Sequence, residues 1–315
     1  MFDVITIGSA TRDVFLKGKF PITKDKLSFD LGSKNDVDEI FFFTGGGATN
    51  AAATFSNFGL NTACISRIGN DPGGMAVLED LKKFGISSQF ITETKDLYTA
   101  YSIIISTENG RVALVHRGTS EYFKESDIPC NKINAKWFYI TSLSGNVKVL
   151  KTIFDCANDK KIRIAWNPGN SEIKLGMTSL KPFLAKVGVL ILNLDEAKEL
   201  TGLKNAKEIF EKLDSLTDGI VVITNGMEGV EACSGKTCYK AKAMGGKAVE
   251  STGAGDAFGS GFVSGLFFKN DVNYAIQLAT ANASSVVKKI GAKNGLMTKS
   301  GLNKFDKVKV ENYLL

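Results

Sequence analysis

The sequence predicts an α/β fold built on a largely parallel central sheet, with a small β-sheet lid. Three observations carry this. Short β-branched runs alternate with amphipathic stretches along most of the chain. The continuous apolar run Val187–Leu192 suits a strand covered on both faces. Two regions, approximately 12–44 and 88–118, lack helical periodicity and carry alternating strands instead. No linker rich in Pro, Gly or Ser divides the chain, so one domain spanning 1–315 is expected, with those two regions as lid segments.

Taken in order, Val4–Ile7 reads as a first buried strand and Ala48–Phe58 as a helix. A strand at Thr62–Ile65 and a helix from Gly74 to Phe84 follow. In the second lid segment, Thr99–Ser106 and Arg111–Val115 flank Glu108-Asn-Gly110, and Asn-Gly between such runs signals a hairpin. Further strands are expected at Trp137–Ile140, Ile162–Trp166, Val189–Leu192 and Ile220–Ile223, with helices at Val147–Asn158 and Leu180–Lys186. The pattern is helical from Gly253 to Phe268 and from Asn273 to Lys289, so the carboxy-terminal part is expected to end in packed helices.

Composition narrows the function. A chain of 315 residues with 43% hydrophobic and 23% charged residues can bury a large core without staples. The net charge of +6 comes from scattered lysines, which favours a solvated basic surface over a nucleic-acid stripe. The five cysteines are odd in number and form no C-x-x-C pair, and His116 is the lone histidine, so no zinc set is present. Reduced thiols and a cytoplasmic location are expected. The opening Met-Phe-Asp-Val-Ile-Thr-Ile-Gly carries an early acid and too short an apolar run for a signal peptide, and no stretch is long enough to span a bilayer.

The most informative segment is Glu250-Ser-Thr-Gly-Ala-Gly-Asp-Ala-Phe-Gly-Ser-Gly261. Gly253 and Gly255 let the backbone bend and expose amides, and the apolar spacing from Ala257 onward starts a helix. Unpaired N–H groups at a helix start bind anions. An aspartate inside such a pocket makes sense if a hydroxyl lies between carboxylate and phosphorus: Asp256 would take the hydroxyl proton while the amides stabilise the transferring phosphoryl group. Alone, Asp256 also reads as a simple helix-start acid. A helix start should lower its pKa, which matters little when the transition state is loose. A dinucleotide fingerprint fails because the third glycine stands at 259 instead of 258, with no acidic strand end about 20 residues on. Ser234-Gly-Lys-Thr237 imitates a Walker loop, but the required first glycine would be at 230, which is Val230; Val230–Cys233 and Thr237–Lys240 read as a hairpin.

A second glycine-rich site, Thr44-Gly-Gly-Gly-Ala-Thr-Asn50, lies between an expected lid strand and a helix. It reads either as a tight turn or as backbone that a polyol approaches closely, with Asn50 hydrogen-bonding it. Together, Gly45-Gly-Gly-Ala-Thr-Asn-Ala-Ala continuing through Ile65-Ser-Arg-Ile-Gly-Asn-Asp-Pro-Gly-Gly74, and Ser251–Phe262, resemble the paired signatures of the PfkB (ribokinase-like) carbohydrate kinase family. The resemblance extends to Asn193-Leu-Asp-Glu196 and Thr224-Asn-Gly226.

The resemblance implies a three-layer α/β/α kinase domain that moves the γ-phosphoryl group of ATP to a hydroxymethyl group of a sugar, sugar acid or nucleoside. Gly253, Ala254 and Gly255 would form the anion hole, with Asp256 as base. Asn193 and Glu196 would act on Mg²⁺ and phosphate, Glu196 through water. Thr224 and Gly226 would border the nucleotide, and Asn282 would lie near the adenine. Asp13, Gly46, Gly47, Asn50 and Arg117 would contact the acceptor. The chain departs from the ribokinase subgroup in having no lysine in the first glycine motif, Thr11 two places before Asp13, and Glu250 where an aspartate is usual. These differences argue against naming ribose and leave a K⁺ requirement open. No nucleic-acid or membrane partner is expected, and an exposed lid sheet suggests a homodimer through the lid. An NAD-dependent oxidoreductase and a non-catalytic sugar- or nucleotide-binding protein are the competing classes.

Overall fold

The computed structural model describes residues 1–24, 26–107, 110–246 and 248–315. The chain opens with β1 (Phe2–Ile7), then β2 (Thr11–Lys17), a two-residue pair β3 (Ile22–Thr23) and β4 (Lys26–Leu27), and β5 (Glu39–Gly45). Next come α1 (Gly47–Asn57), β6 (Thr62–Gly69), α2 (Pro72–Lys83), β7 (Ser87–Thr94), β8 (Ala100–Thr107) and β9 (Gly110–His116). The middle of the chain forms β10 (Ala135–Ile140), α3 (Val147–Lys160), β11 (Arg163–Trp166), α4 (Asn170–Ile173), α5 (Gly176–Leu184), β12 (Val189–Asn193), α6 (Leu194–Thr201), α7 (Ala206–Asp214) and β13 (Ile220–Thr224). It ends with the hairpin β14 (Val230–Ser234) and β15 (Thr237–Ala241), helices α8 (Ala254–Lys269) and α9 (Val272–Val286), and β16 (Val310–Leu314).

The main sheet has ten strands in the order β16-β15-β14-β13-β12-β11-β10-β1-β6-β7. From β13 to β7 every pairing is parallel, and β14, β15 and β16 add an antiparallel edge. Successive strand residues face opposite sides, and this alternation builds two cores. Ile5, Phe138, Leu190 and Val221 pack with residues of α3, α5, α6 and α7 on one face. Val4, Tyr139, Ile191 and Val222 pack with α1, α8 and α9 on the other. The result is three layers, with both sides of the sheet buried.

Most helices begin on a polar side chain that satisfies an otherwise unpaired N–H. Asp71 caps α2 with Pro72 in its first turn, Asn146 caps α3, and Asp271 caps α9. Helices α1 and α8 differ: their N-caps are Gly46 and Gly253, both at positive φ and without a side-chain cap. These are the two glycine signatures. The close approach of α8 to β10 also needs glycine, because a Cβ at Gly259 would collide with the Tyr139 hydroxyl.

The second sheet, ordered β5-β2-β8-β9, stands apart from the main one. It is narrower than expected: residues of the segment 88–118 up to Thr94 belong to β7, which extends the main sheet parallel to β6. Only Phe90 of that strand is buried, so an edge strand with mostly polar neighbours lacks the apolar run that marks its siblings. Glu108 and Asn109 of the expected turn lie outside the described residues, while β8 and β9 pair on either side of it. The expectation that the chain ends in packed helices is also corrected, since β16 returns to pair with β15. Reduced thiols are corrected too: Cys130–Cys156 and Cys233–Cys238 are disulfides, and the buried Cys64 is the free thiol. Among the described residues no helix is long and apolar enough to cross a membrane.

The Tyr139 hydroxyl is buried without a hydrogen-bond partner, so Tyr139→Phe should cost little or stabilise the fold. Gly259→Ala should cost about 1–3 kcal/mol through overpacking. In the Tyr139→Phe background most of that loss should vanish, because the remaining neighbours, Ile191 Cδ1 and the ring carbon of residue 139, lie 3.3 and 3.4 Å from the added Cβ. A double-mutant cycle by urea unfolding reads this directly; equal costs in both backgrounds would contradict the packing account.

Candidate functional site

The carboxyl ends of the parallel strands deliver Gly8–Ala10 after β1, Thr141 after β10, Asn193 at the end of β12 and Thr224 at the end of β13. Open α/β sheets bind ligands along this edge. The starts of α1 and α8 converge here, and Asn50 Nδ2 donates to Asp256 Oδ2 at 2.8 Å.

At the first glycine signature the close approaches are made by the protein itself. A Cβ on Gly45 would strike the Asp13 carboxylate, one on Gly46 the Ser9 carbonyl, and one on Gly47 the Thr141 side chain. The N–H groups of Gly47 and Ala48 are bonded to Ser9, at its hydroxyl and carbonyl respectively. Ser9 thus takes two of the turn's donors, while the Gly46 and Thr49 N–H groups have no acceptor among the described residues, and the glycines allow Asp13 and Asn50 to come together.

The second signature is left open. Gly253 sits at φ 82, where a Cβ would also strike Ala292. The Ala254 N–H donates to Ser251 O at 3.2 Å, so Ala254 is not a free donor as the motif suggests. The N–H groups of Gly253, Gly255 and Asp256 have no acceptor among the described residues. Around the Cβ position of Gly255 there is open space. Free amides with the helix dipole behind them form an anion site.

Asp256 keeps some solvent contact, yet protein surrounds its carboxyl. Burial pushes its pKa up to about 6, aided by the negative Asp13, and opposed by the Asn50 hydrogen bond and the Lys293 ammonium. Desolvation thus raises the carboxyl where a helix start alone is expected to lower it. Asp13 is buried and its carboxyl is likewise raised by burial, although Thr11 Oγ1 donates to its Oδ1 at 2.7 Å. The Asn50 Oδ1 is buried with no partner. The site thus holds two acids, one unpaired amide oxygen and a row of free N–H groups.

Beside Gly255 lies a cavity of about 290 Å³. Thr224 and Gly226 line it, together with Met227, Met244, Phe258 and Val287. Asn282 does not line it. Its amide is fully buried, donating to Thr54 Oγ1 and Ala257 O and accepting from the Met297 N–H, so it ties α9 to α1, α8 and the segment after α9. The face of α9 that reaches the cavity carries Thr280, Ala283, Ser284 and Val287 instead. Their i, i+3, i+4, i+7 spacing was the available signal, and the Thr280 hydroxyl is buried without a partner.

Asn193 and Glu196 cap α6 reciprocally: Asn193 Oδ1 accepts from the Glu196 N–H, and Glu196 Oε2 from the Asn193 N–H, both at 2.8 Å. Burial and the neighbouring Glu199 and Asp195 raise the Glu196 carboxyl. No cluster of three or more His, Cys, Asp or Glu able to hold a metal occurs among the described residues. A hydrated Mg²⁺ still fits at Glu196, whose Oε1 is unbonded beside two further acids, because Mg²⁺ keeps most of its waters.

Two further predicted residues sit on or against the second sheet. Arg117 follows β9 and is exposed, with no ion pair among the described residues, and His116 is exposed beside it. Glu250 accepts from Arg111 of β9 at 2.6 Å and from Thr252, while Ser106 of β8 donates to its other oxygen at 3.4 Å. Glu250 thus ties the second sheet to the loop before α8, with Oε2 held by the long Ser106 bond alone.

The family model for pfkB family carbohydrate kinases matches residues 1–299. The chain is 23% identical over 300 residues to an ATP-dependent 6-phosphofructokinase of Thermoanaerobacterium thermosaccharolyticum, covering 92% of each chain. It is 25% identical to a nucleoside kinase of Methanothermobacter thermautotrophicus, over 80% of this chain and 81% of that one. The structure of an Arabidopsis thaliana ribokinase complexed with ribose and ATP superposes with a TM-score of 0.79 at 18% identity, covering 96% of this chain and 98% of that one.

A buried carboxyl raised to about 6 favours folding only while protonated. Between about pH 4 and 6 the folded state holds a proton that the unfolded state has lost, so this contribution fades as pH rises. Asp256→Asn should therefore be more stable than the natural protein at pH 8, by roughly 1–2 kcal/mol after allowing for solvent contact, and equal to it near pH 4. Urea unfolding at both pH values checks this; a constant difference would show that the carboxyl is not desolvated.

Proposed function

Since the chain belongs to the pfkB family of carbohydrate kinases, we propose that it transfers the γ-phosphoryl group of ATP to a hydroxymethyl group of a sugar or related small molecule, with Asp256 as the general base. The observation that carries this reading is the coincidence, in one helical turn, of free N–H groups and a carboxylate whose pKa lies near the working range of a base. The N–H groups of Gly255 and Asp256, and that of Gly253, would hold the transferring phosphoryl group. The acceptor hydroxyl would lie between it and Asp256. Asn50 holds Asp256 Oδ2 in place, and its unpaired Oδ1 would accept a second hydrogen from the acceptor. Asp13 would bind another acceptor hydroxyl.

The adenine would enter the cavity beside Gly255, where Thr280 offers an unpaired hydroxyl. Mg²⁺, held through water at Glu196, would neutralise the phosphates. We read the chain as a single kinase domain with the β5-β2-β8-β9 sheet as its lid, excluding water during transfer. The Arg111–Glu250 ion pair joins that lid to the loop before α8. On the outer face the exposed Phe42, Ile103 and Leu114 form one row across the sheet with the half-buried Val14, which supports a homodimer packed through it.

A nucleoside acceptor is the second reading. Phe43 stands directly opposite Asp13 in the register, offering a ring to a base beside the carboxylate that would hold the ribose.

With the natural protein, ATP and Mg²⁺, a panel of sugars, sugar phosphates, sugar acids and nucleosides should reveal at least one phosphorylated acceptor. Asp256→Asn should lower kcat roughly 10²–10⁴-fold while ATP affinity stays near normal. Activity should fall as pH drops through about 6. Near-normal turnover by the Asn variant would rule out the base role.

A further inference from the structure

Lys293 is a buried lysine that no motif singles out. It sits in the segment after α9, yet its ammonium is anchored on the first glycine signature, more than 240 positions away in sequence. Nζ donates to Thr44 Oγ1 at 2.6 Å and to Thr49 Oγ1 at 3.4 Å, so it brackets Gly45–Ala48 from both ends. It also pairs with Asp80 of α2 at 2.6 Å, and Thr44 donates to the same carboxylate oxygen at 2.5 Å. Thr49 in turn donates to Gly45 O at 2.6 Å. The next residue, Asn50, holds Asp256.

Resting on the reading of Asp256 as base, we infer that Lys293 is a positioning residue for the phosphoryl transfer: it clamps the turn that presents Asn50 to Asp256 and supplies the fixed positive charge behind the two acids. A buried ammonium is costly unless paired, and two segments distant in sequence, the first glycine signature and α2, supply its partners. Its charge favours the ionised forms of both Asp13 and Asp256. The groups acting on Asp256 are Asp13 from β2, Tyr139 from β10, Asn50 from α1 and Lys293 itself. Those around Lys293 are Asp80, Glu79 and Lys83 from α2 and Arg12 from β2, which line one cavity with it.

The test compares Lys293→Met, Lys293→Arg and Asp80→Asn with the natural full-length chain, using the panel acceptor that it phosphorylates fastest. The titration of Asp256, followed by carboxyl ¹³C NMR and assigned with Asp256→Asn, needs no acceptor. Lys293→Met should lower kcat roughly 10- to 100-fold, with the KM for ATP within about twofold, as expected for a misplaced reacting group. The acid limb of the pH profile and the Asp256 titration should both move up by about half to one pH unit. Lys293→Arg should leave the limb in place. Asp80→Asn, which frees the ammonium from its counter-charge, should move both downward.

Opposite movements in Lys293→Met and Asp80→Asn are something a purely structural role does not produce. An unmoved titration in a folded Lys293→Met protein, or movement in the same direction in both variants, would overturn the inference. Should Lys293→Met fail to fold, Asp80→Asn decides alone: a downward shift supports it, and no shift or an upward one overturns it. Retained turnover in Asp256→Asn would instead sink the base reading, while the NMR titration would still report on Lys293.

Discussion

One hydrogen bond, from Asn50 Nδ2 to Asp256 Oδ2, joins residues 206 positions apart and holds the two glycine signatures in a common site. It exists because α1 and α8 share one face of the sheet, where Ala51 and Phe55 pack into the same core as Phe258 and Phe262. The two helix starts have opposite roles. At α1 Ser9 takes the Gly47 and Ala48 donors, and the turn presents Asn50 to Asp256. At α8 the Gly253, Gly255 and Asp256 donors remain open, so that turn can receive an anion. The acid between them keeps a raised pKa because the same packing that aligns the helices also removes water from its carboxyl.

Much of this was readable from the chain. The buried strands announced themselves because each is an apolar run covered on both faces, and Val189–Leu192 matches β12 except for the terminal Asn193. The hairpin around Ser234-Gly-Lys, which imitates the end of a Walker loop, is legible from the alternation on either side. Thr224 and Gly226, which the family resemblance sets beside a nucleotide, line the cavity because β13 ends at Thr224 on the binding edge of the sheet.

The rest depends on tertiary contacts that leave no local trace. Asn282 lies on a face of α9 that turns into the core, one residue away from the face that reaches the cavity. Ala254 belongs to the motif, yet its N–H is consumed by a turn to Ser251 that composition does not reveal. β7 was assigned to the lid because an edge strand with one buried apolar residue resembles any exposed strand. The hairpin itself brings Cys233 opposite Cys238, but an odd cysteine count without a C-x-x-C pair points to thiols, and nothing local pairs Cys130 with Cys156. Lys293 was invisible as one more lysine in a basic chain; only its surroundings distinguish it.

The central claim is that the free N–H groups at the start of α8 face Asp256 across a transferring phosphoryl group. A crystal structure with MgADP, aluminium fluoride and a turned-over acceptor examines this geometry directly. The claim requires the fluoride group within hydrogen-bond reach of the Gly255 N–H, with the acceptor oxygen between it and the Asp256 carboxylate. A fluoride group bound elsewhere, or an acceptor oxygen remote from Asp256, would contradict it.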